Sequence, residues 1–262
     1  MQLVLGFFAD IGGMALFSLE VVRTWLRTFG QNGSLIVEQI ALVAYRSLVT
    51  ILFSGFFVGA ILVIQFHLML SKYDAVTLLG GLNTSATIRE VGPLIISFLL
   101  AGKVGAYTAA ELGTMRVTEQ IDAIRCLGRD PVQYLIVPRF IAIVLCSLLL
   151  LVFGVLVGVA GSMVVAVELY NMNFLQYMES IPRFTGIWTI IAGVFKSLVY
   201  GLIVAAVSTY KGYFASGGAQ GVGRAVTECA VYTNLLIVFA NSFTSYFLEN
   251  VQQFVNNTFG GF

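Results

Sequence analysis

Charged residues are scarce in this chain. Asp, Glu, Lys and Arg make up only 10% of its 262 residues, whereas a soluble domain carries about 25%. Because 58% of the residues are hydrophobic, a soluble fold would not have enough polar groups to cover its surface, and lipid must be the solvent for much of it. The net charge of +1 also argues against a nucleic-acid partner, because phosphate binding needs clustered Lys and Arg.

Histidine is equally rare, which argues against catalytic and metal chemistry. The single histidine, His67, lies inside a hydrophobic run, so neither a His-rich metal site nor a Ser–His–Asp triad is expected. The glycines around Lys103 do not form a phosphate-binding loop, because Ser97 stands where its first glycine is needed. We therefore expect no catalytic residue, no metal and no cofactor in this chain.

Five stretches reach the length of about 20 mostly apolar residues that a membrane span needs. The predicted spans cover residues 47–71, 91–115, 140–167, 184–210 and 225–248. Residues 1–30 carry Asp10 and Glu20 among apolar positions, a composition that favours a helix lying in the membrane interface. The expected fold class is an all-α integral membrane protein, with an interfacial N-terminal helix and five transmembrane helices in a single domain over residues 1–262.

Small residues indicate where these helices pack closely. Gly55 and Gly59 are four positions apart in the first span, and Gly154 and Gly158 repeat that spacing in the third. Such faces let helix backbones approach each other in lipid.

The distribution of basic residues predicts the topology. With a cytoplasmic N-terminus, most Lys and Arg outside the spans lie on the inner side, and only Lys72, Arg89 and Arg183 lie on the outer side. Five spans then place the C-terminus outside the membrane.

The longest polar stretch, residues 116–139, contains a candidate docking helix. Its apolar residues recur at helical spacing and are Val117, Ile121, Ile124 and Leu127. Gly128 stands where such a helix would end. The pattern predicts a short amphipathic helix over residues 117–127, which is either an ordinary loop helix or one that docks in a groove of a soluble partner.

Several charged residues lie within or beside the predicted spans. Arg89 and Glu90 precede the second span, where Pro93 is expected in the first helical turn, and they form either an interfacial anchor or the polar rim of a lipid cavity. Lys103 and Lys196 fall near mid-span, where a charge is costly and is usually paired or faces a water-filled path. Two carboxylates toward the inner ends of spans, Glu111 and Glu228, are expected to pair with basic neighbours.

Residues 111–131 read ELGTMRVTEQIDAIRCLGRDP, and this stretch resembles the signature of the MlaE/YrbE permease family. Members of that family are the membrane subunits of ABC transporters that act on lipids together with MCE proteins. The segments REVGP at 89–93, AGKVG at 101–105 and PR at 138–139 look like further blocks of the same family. The likeness extends over nearly the whole chain.

The resemblance implies a function and a set of partners. The chain would be the non-catalytic permease subunit, a homodimer in the bacterial inner membrane, moving phospholipid or a related lipid between that membrane and a periplasmic MCE protein. The expected partners are an MlaF-like ATPase dimer, which binds ATP and Mg²⁺, and an MlaD-like MCE hexamer. An MlaB-like STAS-domain regulator is a further candidate partner.

The resemblance also implies roles for particular residues, in an outward-facing cavity and in the helix at 117–127. The expected lipid-binding residues are Leu62, Gln65, Met69, Leu70, Tyr73, Arg89, Glu90 and Lys196. The expected ATPase-coupling residues are Arg116, Glu119, Gln120, Asp122, Ile124 and Arg125.

Two other classes of function remain as alternatives at this point. A secondary transporter driven by protons or ions would use the charges at Lys103, Glu111, Lys196 and Glu228, but the inverted repeats common in such transporters are not visible. A membrane-embedded enzyme acting on lipids would need the His, Cys or metal clusters that this sequence does not show.

Overall fold

The computed structural model describes residues 2–28 and 33–259, and the regular structure in these ranges is helical. Its α-helices are α1 (Gln2–Arg27), α2 (Gly33–Leu70), α3 (Leu79–Ala86), α4 (Gly92–Leu100), α5 (Ala106–Val117), α6 (Gln120–Cys126), α7 (Val137–Tyr170), α8 (Phe174–Phe184), α9 (Ile187–Tyr213) and α10 (Gly218–Phe259). The expected all-α fold class is confirmed.

Five helical stretches of the described chain are long and apolar enough to cross a membrane. They are Gly33–Tyr73, Val76–Val117, Val132–Tyr170, Ile187–Tyr213 and Gly218–Val255. The helix α1 is not among them, and its expected place in the membrane interface stays a prediction. The fourth span was predicted to begin at Phe184, but that residue ends α8 and the long helix begins three residues later, at Ile187.

Two of the long stretches contain π turns, and the helix continues through or from each turn. Residues Thr87–Val91 and Ala101–Gly105 form wider turns within the second stretch, and Val132–Ile136 opens the third. Pro93 is the second residue of α4, as expected of a proline in the first turn of a helix, but a π turn and α3 already precede it. The π turn ends just before this proline, and such a turn relaxes the backbone pattern that a proline inside a helix would otherwise disrupt.

The residues fall into two compact units that alternate along the sequence. The first unit comprises Met1–Arg46, Phe98–Cys146 and Gly201–Ile237. The second unit comprises Ser47–Ser97, Ser147–Tyr200 and Val238–Phe262. Each of the five long stretches therefore contributes residues to both units.

In the second unit, α2 and α7 meet through facing glycines. A Cβ added to Gly55 would lie 2.6 Å from the carbonyl oxygen of Gly154, and one added to Gly59 would overlap the carbonyl oxygen of Gly158. The prediction that these glycines lie at close helix contacts is thus confirmed. The structure adds that the two pairs face each other, with room only for hydrogen between the backbones. The same unit contains an apolar core that includes Leu79 and Tyr177, formed where α3 packs on α8.

We predict that Gly59→Ala destabilises the protein by about 1–3 kcal/mol, because the new methyl group must push α2 and α7 apart. The matched control is Gly223→Ala in α10, where a Cβ meets no atom within 4 Å. That change should be neutral or stabilising by up to roughly 1 kcal/mol through helix propensity. Thermal unfolding of both variants in detergent provides the measurement, and equal midpoints would contradict the close contact.

Candidate functional site

The second unit contains a buried lysine held by a carboxylate and a hydroxyl. Lys196 of α9 is fully buried, and its Nζ donates hydrogen bonds to Glu90 Oε2 and, over 2.7 Å, to Ser245 Oγ of α10. The Ser245 hydroxyl donates in turn to Glu90 Oε2 at 3.1 Å. A buried ammonium group is stable only when it is paired and hydrogen-bonded, and this triad meets both conditions.

Arg89 lies beside this triad. Its guanidinium is 4.0 Å from a carboxylate oxygen of Glu90 and 4.0 Å from one of Glu249. Both distances are at the outer limit of an ion pair, so Arg89 is held less tightly than Lys196 and keeps donors for a further anion. One helical turn from the triad, the Tyr200 hydroxyl donates to Asn241 Oδ1 at 2.6 Å and further links α9 to α10.

The expected lipid-binding residues of α2, and Tyr73 in the short turn after it, lie in different environments. Gln65, Met69 and Tyr73 are exposed at intervals of four residues, and Met69 and Tyr73 show 60% and 74% of their surface. Leu62 is half-buried. Leu70 instead is 8% exposed and belongs to the apolar core of the second unit. The exposed stripe and the charged triad are both in the second unit, and whether either binds lipid stays a prediction.

The helix expected over residues 117–127 is shorter than predicted and begins after a sharp corner. α5 continues to Val117, and α6 covers only Gln120–Cys126. Glu119 separates them with φ of 61°, a left-handed conformation that is uncommon for residues other than glycine. The predicted end of the helix is confirmed, because Gly128 has φ of 74° and its N–H bonds to the Arg125 carbonyl.

The expected coupling residues divide into anchors and exposed groups. Arg116 Nη1 donates to Asp122 Oδ1 at 2.8 Å, and Arg125 Nη2 donates to the Tyr213 hydroxyl at 2.9 Å. Ile121 is fully buried and Ile124 is half-buried. Glu119 and Gln120 are exposed. α6 is therefore bonded to α5 and α9 within the first unit, and the residues at its N-terminal end, Glu119 and Gln120, are exposed.

A second buried lysine links three helices of the first unit. Lys211 Nζ of α9 lies 2.8 Å from Asp10 Oδ2 of α1 and 2.8 Å from Glu228 Oε2 of α10. The Tyr232 hydroxyl also donates to Asp10, at 2.9 Å. The hydrogen bond from Lys211 lowers the pKa of the Asp10 carboxyl, which keeps that residue ionised in the cluster.

Other charges of the first unit are also paired or stacked. Arg139 lies 3.0 Å from Glu111, so the pairing expected for Glu111 and for Glu228 is confirmed. Arg46 lies over the Tyr107 ring at 3.9 Å, and both residues line a cavity of about 320 Å³ together with Lys103.

The sequence pattern did not show which residues pair with the two buried lysines. Ser245 lies 155 positions from Glu90, and Asp10 lies 201 positions from Lys211. The sequence pattern did not single out Glu249 either, because it is one of many polar residues in an amphipathic helix. Lys196, Glu90 and Glu228 did carry a local signal, as charges within or beside the predicted spans.

These helices and buried ion pairs define a polytopic α-helical membrane protein. The sequence profile of the family described as "Permease MlaE" matches residues 36–247. The chain therefore belongs to the MlaE permease family, and the resemblance seen in residues 111–131 is confirmed. Membership makes it the permease subunit of an ABC transporter, a class that acts as a dimer with an ATPase partner.

Relatives from several bacteria support this assignment. A probable ABC transporter permease protein of Synechocystis is 40% identical over 207 residues, covering 79% of this chain and 78% of that protein. A probable ABC transporter permease protein of Rickettsia conorii is 35% identical over 235 residues, 90% of each chain. The intermembrane phospholipid transport system permease protein MlaE of Haemophilus influenzae is 28% identical over 240 residues, also 90% of each chain.

We predict that Glu90→Gln destabilises the protein by about 3–5 kcal/mol, because it leaves the buried Lys196 ammonium without its carboxylate. Adding Lys196→Met should recover most of that loss, since the buried charge is then absent. Glu179→Gln, which changes an exposed carboxylate of α8, should stay within about 0.5 kcal/mol of the parent. Denaturant or thermal unfolding in detergent measures all three variants, and a Glu90→Gln midpoint equal to that of the control would refute the pairing.

Proposed function

We propose that this chain is the non-catalytic permease subunit of an ATP-driven transporter that moves phospholipid between the bacterial inner membrane and a periplasmic MCE protein. The observation that carries the proposal is the charged triad of Lys196, Glu90 and Ser245 with Arg89 beside it, set among helices with exposed apolar faces. The name of the Haemophilus influenzae relative, a phospholipid transport permease, supports the same substrate.

The chemistry of the triad suits a phospholipid. Lys196 neutralises the charge of Glu90, and Arg89 is only loosely paired. The Arg89 guanidinium can therefore donate charge-assisted hydrogen bonds to a phosphate. Gln65, Met69 and Tyr73 supply an exposed, mostly apolar stripe for acyl chains. Each buried CH₂ group contributes about 0.8 kcal/mol, so removing a two-chain lipid from a bilayer requires both an apolar site and an energy input.

The energy would come from the ATPase partner through α6. In this proposal the exposed corner at Glu119 and Gln120 contacts an MlaF-like ATPase dimer, which binds ATP and Mg²⁺. Arg125 transmits the movement because it is bonded to Tyr213 at the end of α9. Lipid leaves when the closed state of the dimer has a lower affinity for it than the open state.

The topology and the remaining partners belong to the same proposal. The excess of basic residues on one side supports a cytoplasmic N-terminus and a periplasmic C-terminus. An MlaD-like MCE hexamer would take up the lipid on the periplasmic side, and an MlaB-like STAS-domain protein would regulate the ATPase. Glu111, Lys196 and Glu228 are all in ion pairs, as expected of charges that hold helices together. An ion-driven mechanism is not needed to explain their presence.

Lipid analysis of the purified complex tests the substrate. We expect phospholipid to co-purify with the parent protein and to decrease on addition of ATP, because the closed state expels it. Arg89→Gln should lower the bound phospholipid about tenfold through the loss of charge-assisted hydrogen bonds to phosphate. Lys72→Gln, which changes an exposed cation outside the triad, is the control. Mass spectrometry that finds no phospholipid in the parent complex would reject this substrate.

Charge reversal at Glu119 tests the coupling role of α6. We expect Glu119→Lys to abolish co-purification of the ATPase and transport while membrane insertion stays normal. Lysine meets about the same backbone cost as glutamate at a positive φ, so the variant changes the charge and little else. Glu179→Lys in α8 is the matched control. Retention of the ATPase by Glu119→Lys would remove this corner from the coupling interface.

A further inference from the structure

The second unit contains a cavity that the proposed transport site does not use. It has a volume of about 780 Å³ and lies between the end of α8, the start of α9 and the outer part of α10. Its walls are mostly apolar, and Phe184, Ile187, Ile191 and Val255 contribute to them. The volume is in the range of small-molecule sites, large enough for a lipid headgroup and the first part of its chains.

Two features of the cavity are suited to an anion. Among the described residues that line it, Arg183 carries the one charge, and no described carboxylate lies within ion-pair distance of its guanidinium. The cavity wall also includes the first turn of α9, from Ile187 to Thr189. The Thr189 N–H already bonds to the Gly186 carbonyl at 3.1 Å, so the anion is favoured by the positive dipole end of the helix and by the N–H groups of its first two residues.

A third feature is a buried donor without an acceptor. Trp188 lines the cavity, and its indole Nε1 is buried with no hydrogen-bond partner among the described residues. Unsatisfied buried donors are costly and therefore rare, and an acceptor supplied by a ligand would satisfy them.

We propose that this cavity is a second phospholipid site, in which Arg183, the start of α9 and the Trp188 indole bind the phosphate and the apolar walls hold the upper acyl chains. A cation and unpaired donors match a phosphate, while the apolar lining matches acyl chains and excludes a fully hydrated anion. The bilayer supplies such a ligand at high concentration. The site is separate from the Lys196 triad, so it stands even if the chain transports a different lipid.

Trp188 itself is the reporter for the test. The chain has two tryptophans, so Trp25→Phe leaves Trp188 as the single fluorophore of the full-length protein in detergent. Phosphatidylglycerol with bromine atoms near the top of its acyl chains is added, in parallel with diacylglycerol that carries the same chains but no phosphate. We expect saturable quenching, reached at about tenfold lower concentration with phosphatidylglycerol because of charge-assisted hydrogen bonds.

Two variants separate the phosphate contact from general lipid contact. Arg183→Gln in the Trp25→Phe background should remove the preference for phosphatidylglycerol, and Lys72→Gln should keep it. Arg183 is exposed, so its change should leave the elution volume and thermal midpoint unaltered. Arg183→Lys should restore part of the preference, since it returns the charge without the planar guanidinium.

Three outcomes would overturn the proposal. Equal quenching by both lipids, unaffected by Arg183→Gln, would mean that only bulk lipid contacts Trp188. No quenching by either lipid would mean that protein, such as a second copy of the chain, covers the cavity. Displacement of phosphatidylglycerol by millimolar inorganic phosphate alone would mean that the site takes a free anion. None of these readouts depends on an ATPase or on transport.

Discussion

The two buried lysines are the constraint on which this structure depends. An ammonium group in a low-dielectric interior is costly unless a carboxylate accompanies it. Lys196 therefore requires Glu90, and Lys211 requires Asp10 and Glu228. Each pairing joins helices that are far apart in the sequence. Each unit therefore contains one buried lysine whose charge is compensated by residues of other helices.

The same pairings decide how the N-terminal helix is attached. Asp10 of α1 bonds to Lys211 of α9 and to Tyr232 of α10. Phe17 adds ring contacts with Tyr210 and Tyr213 in the same unit. Charge pairing and aromatic packing together hold α1 against α9 and α10. A helix held in this way moves with the helices that it contacts.

An ABC permease subunit needs shaped surfaces rather than reactive side chains. The exposed residues of α2 and α10 in the second unit are largely apolar, as expected for faces in contact with lipid or another subunit. Several of the few charges hold helices together through ion pairs. In the first unit the left-handed corner at Glu119 makes α6 a short helix with a defined direction, which suits the transmission of force from a soluble partner.

The sequence by itself determined the all-α membrane class, the five long helices, the close packing at the glycines and the family, because these follow from composition, local spacing and a contiguous signature. It also indicated that Glu111 and Glu228 pair with basic residues. Tertiary structure alone decided that Ser245 bonds to Glu90 and Glu249 approaches Arg89, that Leu70 turns into the core, and that Glu119 breaks the helix predicted over 117–127. The physical reason is that hydropathy and periodicity show whether a residue favours lipid, burial or a polar partner. Which residue becomes that partner depends on packing between helices that are distant in the sequence.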